Sequence, residues 1–253
     1  MKKTIIITGA TSGFGKAMAE KFAQNSHRLI ITGRRVERLN EISDTLTKSY
    51  DIDVLPLSFD LRDRAASEKS INSLKADWNQ IDVLVNNAGL ASGLEHFQDG
   101  SFEDWDKMID TNVKGLLNIS KPVIDHMVKR NAGHIINIGS TAGKEVYERG
   151  SIYCATKHAV DAISKGMRID LLKHNIKVTQ ISPGAAETEF SVVRFHGDKK
   201  RAKEAYRGYK PMTAEDIAEL VYYSTTLPSH LCINDLVVTS LSQANSFYIN
   251  RDN

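Results

Sequence analysis

The chain has 253 residues, and its 33 Lys and Arg residues nearly balance its 31 Asp and Glu residues, which leaves a formal net charge of +2. With 41% hydrophobic residues, it carries enough apolar surface to fold, so intrinsic disorder is excluded. The near-neutral charge, without a dense block of Lys and Arg, argues against a nucleic-acid-binding protein. The length suits one α/β domain.

Cysteine usage and the N-terminus indicate a cytoplasmic protein. Cys154 and Cys232 are too few for a disulfide framework, and no Cys/His cluster has the spacing of zinc ligands, so no metal site is predicted. The apolar run at residues 5–7 is shorter than the core of a signal peptide. No stretch reaches the roughly 18 apolar residues of a membrane span, so no membrane partner is predicted.

Short runs rich in Ile and Val alternate with longer amphipathic segments. The predicted strands are Thr4–Thr8, Arg28–Thr32, Asp53–Ser58, Ile81–Asn86, His134–Ile138, Lys177–Ile181 and Leu236–Thr239. Helices are predicted near residues 15–25, 35–49, 62–77, 101–130, 151–174 and 213–226. Continuous apolar strands are typical of a parallel sheet buried on both faces. The repeated β-α-β pattern predicts an α/β fold: a Rossmann-type, doubly wound sheet of about seven strands flanked by helices, in one domain over residues 1–253.

Residues 185–212 interrupt this alternation. The segment is charged, has no clear period and contains the run from His196 to Arg201. A long irregular insertion in an α/β domain is more often a lid over a site than a second domain. We therefore predict a substrate lid, with a solvated connection containing one short helix as the alternative.

A glycine-rich segment follows the first predicted strand and precedes a helix. Its spacing is G-x-x-x-G-x-G, with glycines at positions 9, 13 and 15. Glycines let backbone amides approach a pyrophosphate at a helix N-terminus, where the helix dipole favours an anion. The segment predicts a dinucleotide site, because a merely tight turn needs one glycine rather than three.

Two arginines, Arg34 and Arg35, follow the second predicted strand. An NAD site normally places Asp or Glu here to bind the ribose 2′-hydroxyl, whereas Arg accommodates a 2′-phosphate. The nearest acid, Glu37, lies beyond the strand end. Guanidinium groups match a phosphate bidentately, which favours NADP over NAD. Arginines are also common in exposed loops, so NAD stays open at this point.

A polar constellation follows the fifth predicted strand. Tyr153 lies thirteen residues after Ser140, and Lys157 four residues after Tyr153. Residues i and i+4 share one helix face, so the Lys157 ammonium is expected beside the Tyr153 hydroxyl. A nearby cation lowers the pKa of a tyrosine from about 10 toward working pH. Such a phenol can exchange a proton with a substrate oxygen while hydride moves to or from carbon.

These motifs together resemble the short-chain dehydrogenase/reductase family over essentially the whole chain. The further matches are Asp60-Leu61 after the third strand, Asn86-Asn87-Ala88-Gly89 after the fourth, Asn112 in a long helix, and Pro183-Gly184 with Thr188 after the sixth. The resemblance implies a Rossmann fold, a nicotinamide cofactor and a homotetramer packed partly through the helices that carry Asn112 and Tyr153.

The resemblance also implies roles for individual residues. Tyr153 would be the general acid/base, and Ser140 would position and polarise the substrate oxygen. Lys157 would bind the nicotinamide ribose and tune Tyr153, while Asn112 would support a proton-relay water. The predicted cofactor-binding residues are Gly9, Thr11, Ser12, Gly13, Phe14, Gly15, Arg34, Arg35, Asp60, Leu61, Asn86, Asn87, Ala88, Gly89, Tyr153, Lys157, Pro183, Gly184 and Thr188.

Within the family, residues 32–35, 135–143, 188–191 with 193–195, and 226–228 are similar to those of bacterial NADP-dependent 3-hydroxy acid dehydrogenases. This implies hydride transfer between NADP(H) and a short 3-hydroxy acid, such as serine, L-allo-threonine or 3-hydroxypropionate. The alternatives are a reductase of another carbonyl, such as a 3-oxoacyl thioester or a sugar, and a non-catalytic nucleotide sensor. A sensor would have no need of a tuned phenol, which argues against it.

The carboxylate of a hydroxy acid requires a cationic or multiply donating partner when it is buried. Arg194 lies between Val193 and Phe195 in the predicted lid, and a guanidinium in such an apolar setting can bind a carboxylate bidentately. The predicted substrate-binding residues are therefore Ser140, Tyr153 and Arg194. As alternatives, Arg194 pairs with Glu189 or Asp198, or contacts a cofactor phosphate.

Overall fold

The computed structural model describes residues 2–252. The strands are Thr4–Thr8 (β1), Arg28–Gly33 (β2), Val54–Ser58 (β3), Val83–Asn86 (β4), Gly133–Ile138 (β5), Ile176–Pro183 (β6) and Asp235–Val238 (β7). The α-helices are Gly13–Gln24 (α1), Val36–Tyr50 (α2), Arg64–Asn72 (α3), Phe102–Ile109 (α4), Leu116–Arg130 (α5), Ser151–Asp170 (α6), Glu189–Arg194 (α7), Lys199–Glu204 (α8) and Ala214–Thr226 (α9). Each predicted strand is present, with ends shifted by at most two residues.

The strands form one seven-stranded parallel sheet in the order β3-β2-β1-β4-β5-β6-β7. This is the predicted doubly wound Rossmann-type fold. The chain winds outward in one direction from β1 to β3 and in the other from β4 to β7. Ligands of such sheets bind outside the carboxyl ends of the strands at the switch point, which here lies between β1 and β4.

Each face of the sheet carries its own hydrophobic core. Ile5 and Ile7 of β1 pack with Phe22 of α1 on one face, whereas Ile6 packs with Ile119 of α5 on the other. Successive side chains on a strand point to opposite faces. Because both faces are covered, all three positions of β1 are apolar, and each fully buried Ile contributes about 1.5–3 kcal/mol to stability.

Several predicted helices differ in extent from the structure. The helix predicted over 62–77 ends at Asn72, and the one over 151–174 ends at Asp170, with a short 3-10 turn following. The helix predicted over 101–130 is interrupted by a π-helical turn at Asp110–Gly115. Periodicity missed this turn because one extra residue within a helix barely changes the apolar pattern.

The segment 185–212 contains two short helices, α7 and α8, rather than one. Thr188 and Asp198 are their N-cap residues, since the side chains accept hydrogen bonds from the first-turn amides of Phe190 and Arg201. Among residues 2–252, no helix combines the length and apolar character that a membrane span requires. In the same range, no three His, Cys, Asp or Glu side chains are grouped to hold a metal ion.

Candidate active site

A cavity of about 570 Å³ lies at the carboxyl edge of the sheet. It extends from the turn after β1, past the ends of β4 and β5, to one wall formed by residues of the 185–212 segment. Its volume is in the range of small-molecule and cofactor sites. The lining includes most of the predicted cofactor-binding residues together with Ser140, Tyr153, Lys157 and Arg194.

The glycine-rich turn brings backbone close to backbone. Gly9 has a φ of +67°, a conformation that side chains disfavour. A Cβ on Gly15 would collide with the Gly9 carbonyl and lie 2.6 Å from Nδ2 of Asn87, so Gly15 packs the turn and does not line the cavity. Ser12 begins α1 without a side-chain cap, which leaves the helix N-terminus for an anion, as a pyrophosphate site requires.

The two predicted phosphate-binding arginines already have partners. Arg35 donates hydrogen bonds to Oγ1 of Thr11, at 3.0 and 2.7 Å, and to Oγ of Ser12, at 2.8 Å. It also pairs with Glu189 of α7 at 3.1 Å. Arg34 lies 3.6 Å from Asp60. The arrangement collects positive charge at the end of β2, where a ribose 2′-phosphate is expected.

Arg38 is a further cation at this place that the sequence analysis missed. Its guanidinium lies 3.0 Å from the second carboxylate oxygen of Glu189, three residues after Arg35 on the first turn of α2. That spacing is the signal that could have found it, because residues i and i+3 share one helix face.

Asp60, which lies beside Arg34, also interacts with Arg62. Hydrogen bonds from Arg62 hold the pKa of Asp60 below its ordinary value.

Asn86, the last residue of β4, and Asn87, the residue after it, have different roles: Asn86 is buried in the fold, whereas Asn87 lines the cavity. Asn86 was predicted to bind cofactor, but its buried amide donates to Oγ of Ser120 and Oδ1 of Asn137, each at 2.8 Å, and it is not part of the cavity lining. Asn87 lines the cavity and donates to the Thr8 carbonyl at 2.8 Å. The difference arises because Asn86, the last residue of β4, points toward α5 and β5, whereas Asn87 lies beyond the strand and turns toward β1.

Tyr153 and Lys157 lie on the first turns of α6 and are buried, with 8% and 6% of their surface exposed. Nζ of Lys157 donates to the Ile138 carbonyl at 2.9 Å and lies 5.9 Å from the centre of the Tyr153 ring. Oγ of Ser140 accepts a hydrogen bond from the Ala142 amide at 3.1 Å. The strand end of β5 and one helix face thus place all three at the cavity.

The expected lowering of the Tyr153 pKa by Lys157 is not what the structure gives. Burial raises the pKa of Tyr153 strongly and Tyr147 raises it further, while Arg194 and then Ser140 oppose the rise. Nζ of Lys157 donates its hydrogen bond to the Ile138 carbonyl and not to the Tyr153 hydroxyl. Burial lowers the pKa of Lys157 itself to about 8. Arg194 and Lys157 both place positive charge within 6 Å of the centre of the Tyr153 ring, at 5.1 and 5.9 Å.

Asn112 lies in the π-helical turn and is 2% exposed. Its Oδ1 accepts from the Leu90 amide at 2.8 Å, and its Nδ2 donates to the Leu90 carbonyl at 2.7 Å and to Oγ1 of Thr156 at 3.1 Å. Such π turns frequently occur at functional sites. Asn112 fixes the chain after β4 beside α6, and it does not itself line the cavity.

Arg194 lines the cavity beside Tyr153. Its guanidinium carbon lies 5.1 Å from the ring centre of Tyr153, 5.5 Å from Phe190 and 5.7 Å from Tyr147. One terminal nitrogen donates to the Tyr147 hydroxyl. Glu189 binds Arg35 and Arg38, and Asp198 caps α8, so neither acid is the partner of Arg194 that the sequence analysis kept as an alternative.

Three further predicted cofactor-binding residues, at the end of β6 and in the segment that follows it, also reach the cavity. Pro183, Gly184 and Thr188 line it where β6 ends. Sequence analysis missed the aromatic residues Tyr147 and Phe190, because the loop that contains Tyr147 and the six-residue α7 that contains Phe190 give no periodic signal. The segment is joined to the chain after β4 by a hydrogen bond of 3.0 Å from the Gly93 amide to the Arg194 carbonyl.

The chain belongs to the short chain dehydrogenase family, which it matches over residues 3–198. It is 48% identical over 241 residues to the NADP-dependent 3-hydroxy acid dehydrogenase YdfG of Salmonella typhi, covering 95% of this chain and 96% of that protein. It is 41% identical over 254 residues to sulfoacetaldehyde reductase 2 of Chromohalobacter salexigens, covering all of both chains.

A similar solved structure is the closed form of serine dehydrogenase complexed with NADP+. The two chains share 45% identity and superpose with a TM-score of 0.93, covering 96% of this chain and 97% of that one. The family resemblance inferred from the sequence motifs is thereby confirmed.

Proposed function

We propose that the protein is an oxidoreductase that transfers hydride between NADP(H) and a short 3-hydroxy acid or its 3-oxo form. The observation that carries this proposal is one cavity with phosphate-binding features at one end and Ser140, Tyr153, Lys157 and Arg194 at the other. The names of the similar 3-hydroxy acid and serine dehydrogenases support it.

The cavity residues fit the cofactor from end to end. The uncapped N-terminus of α1 would hold the pyrophosphate, with Arg34 and Arg35 binding the 2′-phosphate. Asp60, Leu61 and the chain after β4 would line the adenosine. Lys157 would bind the nicotinamide ribose, and Pro183 to Thr188 would cover the nicotinamide. When bound there, the cofactor would supply the hydride acceptor for the oxidation of an alcohol and the hydride donor for the reduction of a carbonyl.

The chain's own residues handle the proton and the oxygen. In oxidation, the substrate hydroxyl would give its proton to the Tyr153 oxygen, while Ser140 donates a hydrogen bond to the substrate oxygen. Burial raises the Tyr153 pKa, so the phenolate needs cations nearby. Arg194 supplies one, and Lys157 would supply another on turning from the Ile138 carbonyl to the ribose. Asn112 would hold the segment after β4 in position through its hydrogen bonds to the backbone of Leu90, which lines the cavity.

A second candidate is the reduction of an aldehyde that carries a sulfonate, as the name of the 41% identical relative indicates for that protein. Arg194 favours it, since the guanidinium at the substrate end can bind either anion. The same cation disfavours a neutral sugar, for which it would have no partner.

We further propose a cytoplasmic homotetramer, with 185–212 acting as the lid. The family resemblance supports the assembly, and Leu117 of α5 and Ile169 of α6 are apolar side chains with 43% and 75% of their surface exposed that such packing would cover. The cysteine usage supports the location, because both thiols are free.

The test is a substrate screen with purified protein. We expect nicotinamide absorbance to rise with NADP+ and serine, L-allo-threonine or 3-hydroxypropionate, and to rise much less with NAD+ or with a sugar. Turnover of a sugar or a 3-oxoacyl thioester at a higher kcat/KM than any short hydroxy acid would contradict the proposed substrate class.

A further inference from the structure

Residues 139–144, the Ser140 loop, follow β5 and bring Ser140 to the cavity. At the start of the loop, a Cβ on Gly139 would lie 2.8 Å from a side-chain hydroxyl oxygen of β6. Near its end, a Cβ on Gly143 would lie 2.7 Å from the Lys157 carbonyl oxygen of α6. The loop is therefore packed closely against β6 and against the helix that carries two of the site residues.

Lys144, the last residue of the loop, belongs to a closed ring of five polar side chains. Its ammonium donates hydrogen bonds to Asp161 of α6 and, at 2.5 Å, to Asp235 of β7. Nε2 of Gln180 donates to Asp161 at 3.1 Å and to Oγ of Ser182 at 3.0 Å. Ser182 donates to Asp235 at 3.4 Å and closes the ring. This polar ring joins the loop to α6, β6 and β7.

The polar ring is shielded from water and carries charge. The side chains of Asp161 and Lys144 are 15% and 24% exposed, and Gln180 is buried. Burial opposes the ionisation of Asp161, but hydrogen bonds from Lys144 and Lys165 lower its pKa to about 2. The carboxylate is therefore charged at neutral pH, and salt screens such a partly buried pair less than an exposed one.

The polar ring meets α6 on the face that carries the site. Tyr153, Lys157 and Asp161 follow each other at intervals of four residues, and residues at this spacing share one helix face. Lys144 thus ties the loop that carries Ser140 to the helix that carries Tyr153. None of the five ring side chains lines the large cavity, so an effect on the reaction has to pass through residues that do.

We propose that Lys144 is a positioning residue: through the polar ring it holds the Ser140 loop against α6 and sets where the Ser140 hydroxyl lies relative to Tyr153. The effect on the reaction rests on the proposed function, whereas the anchoring of the loop does not. A displacement of about 1 Å can lower the rate of an enzyme by about 100-fold. Because no ring side chain lines the cavity, loss of the ring should act on kcat and not on NADP binding.

The first measurement is kcat and KM with NADP+ and whichever of serine, L-allo-threonine and 3-hydroxypropionate the wild type oxidises fastest. Lys144→Met keeps the aliphatic stem and removes the ammonium. It should lower kcat by about 10- to 100-fold and change the KM for NADP+ less than about twofold. Lys144→Arg keeps a cation that can bind both carboxylates, so it should retain kcat within about threefold of the wild type.

A double-mutant cycle tests whether Lys144 acts through Ser140. In the Ser140→Ala background the positioned hydroxyl is absent, so adding Lys144→Met should lower kcat by less than about threefold. An equal loss from Lys144→Met in both backgrounds would overturn the positioning role.

Asp235→Leu opens the polar ring from β7, and its pH profile separates displacement from charge. Loss of a negative charge by itself would lower the pKa of Tyr153, whereas displacement of Ser140 would raise it, because Ser140 opposes the rise caused by burial. The variant keeps the charged and titratable groups that face Tyr153, namely Tyr147, Cys154, Lys157 and Arg194. The ascending limb of kcat/KM for oxidation should move to higher pH, and a move to lower pH would overturn the proposal.

Two lysines serve as matched controls. Lys165→Met removes the exposed ammonium that binds the other oxygen of Asp161 at 2.6 Å, so it removes the same charge without opening the polar ring. Lys21→Met breaks the pair with Glu219 between α1 and α9, and the Lys21 side chain is 22% exposed, close to the value for Lys144. Both variants should keep kcat within about twofold of the wild type.

Amide hydrogen exchange tests the anchoring without a substrate. The amides of Gly139, Gly143 and Lys144 donate to backbone carbonyls, so a peptide that covers the Ser140 loop should exchange slowly in the wild type. Lys144→Met should speed this exchange by about tenfold and Lys165→Met should not. Unchanged exchange in Lys144→Met would overturn the anchoring. A wild type that oxidises none of the three hydroxy acids would instead overturn the proposed function, and the exchange result would still decide the anchoring.

Discussion

The carboxyl and amino edges of the sheet both bury titratable groups, with different consequences. At the carboxyl edge, burial lowers the pKa of Lys157 to about 8, and this residue lines the large cavity. At the amino edge, burial lowers the pKa of His134 at the start of β5 to about 3, yet His134 is not among the residues lining that cavity. A shifted pKa therefore reports burial, and only a cavity beside the group indicates chemistry.

Several polar groups at the amino edge are paired with each other. Nε2 of His134 is 2.8 Å from Oγ1 of Thr179. The Asp82 carboxylate accepts from the Thr4 amide at 2.8 Å and pairs with Arg130 at 2.9 Å. Among residues 2–252, Nη1 of Arg130 at this edge and Nε of Arg194 at the carboxyl edge both lack a hydrogen-bond partner, but of the two only Arg194 lines the large cavity. An unpartnered donor therefore indicates a ligand only where a cavity lies beside it.

Tyr153→Phe should give the largest effect and act on chemistry alone. The change removes the proton-transferring oxygen but keeps the ring, so turnover should fall by roughly 10²–10⁴-fold, with NADP affinity and the melting temperature nearly unchanged. Steady-state kinetics and a thermal melt check this. Activity near that of the wild type would show that Tyr153 is not the acid/base and that the carboxyl edge is not the catalytic one.

Replacement of Arg34 and Arg35 by neutral residues should weaken the binding of NADP and hardly change the binding of NAD. Loss of one hydrogen bond to a charged phosphate from each arginine, each worth roughly 1.5–3 kcal/mol, should weaken NADP binding by at least about 100-fold and NAD binding little. Titration calorimetry with both nucleotides checks this. Lys48→Ala, on the exposed side of α2, is the control. A loss of equal size for both nucleotides would show that the arginines do not discriminate.

His134→Gln should make the free energy of unfolding depend less on pH and should leave activity at pH 7 intact. The folded-state pKa of His134 is about 3 against an ordinary 6.5. Below pH 6.5 the unfolded chain therefore binds a proton that the folded chain does not, and stability is lost as pH falls. At about 1.4 kcal/mol per unit, the wild type should lose about 2 kcal/mol between pH 6.5 and 5 through this group.

Urea unfolding of the wild type and the variant at both pH values measures that difference. His230→Gln, at an exposed position, is the matched control and should keep the pH slope of the wild type. If His134→Gln kept the slope too, the amino edge would not contain the titrating group.

Glu189→Gln should give the smallest effect. Glu189 pairs with Arg35 and Arg38, but the three side chains are each more than two-fifths exposed, and such pairs contribute about 0–1 kcal/mol. Removing the carboxylate should free both guanidinium groups and tighten NADP binding by at most about fivefold. Weaker NADP binding by this variant would mean that Glu189 orients Arg35 for the phosphate.

The sequence by itself determined the fold and which residues form most of the candidate site. Buried strands show as Ile- and Val-rich runs, so β1 to β7 could be found without the structure. Glycine spacing located the turn after β1, and the i, i+4 spacing placed Tyr153 and Lys157 on one helix face. These features depend on local backbone geometry, which neighbouring residues fix.

Only the tertiary structure decided which side chains meet. Arg194 meets Tyr147 across 47 residues of chain, and Arg35 meets Glu189 across 154. The direction of Asn86 away from the cavity depends on β5 beside it. The pKa of Tyr153 depends on how deeply packing buries it. Long-range contacts set these properties, because desolvation and side-chain pairing are created by the packing of distant segments and have no pattern along the chain.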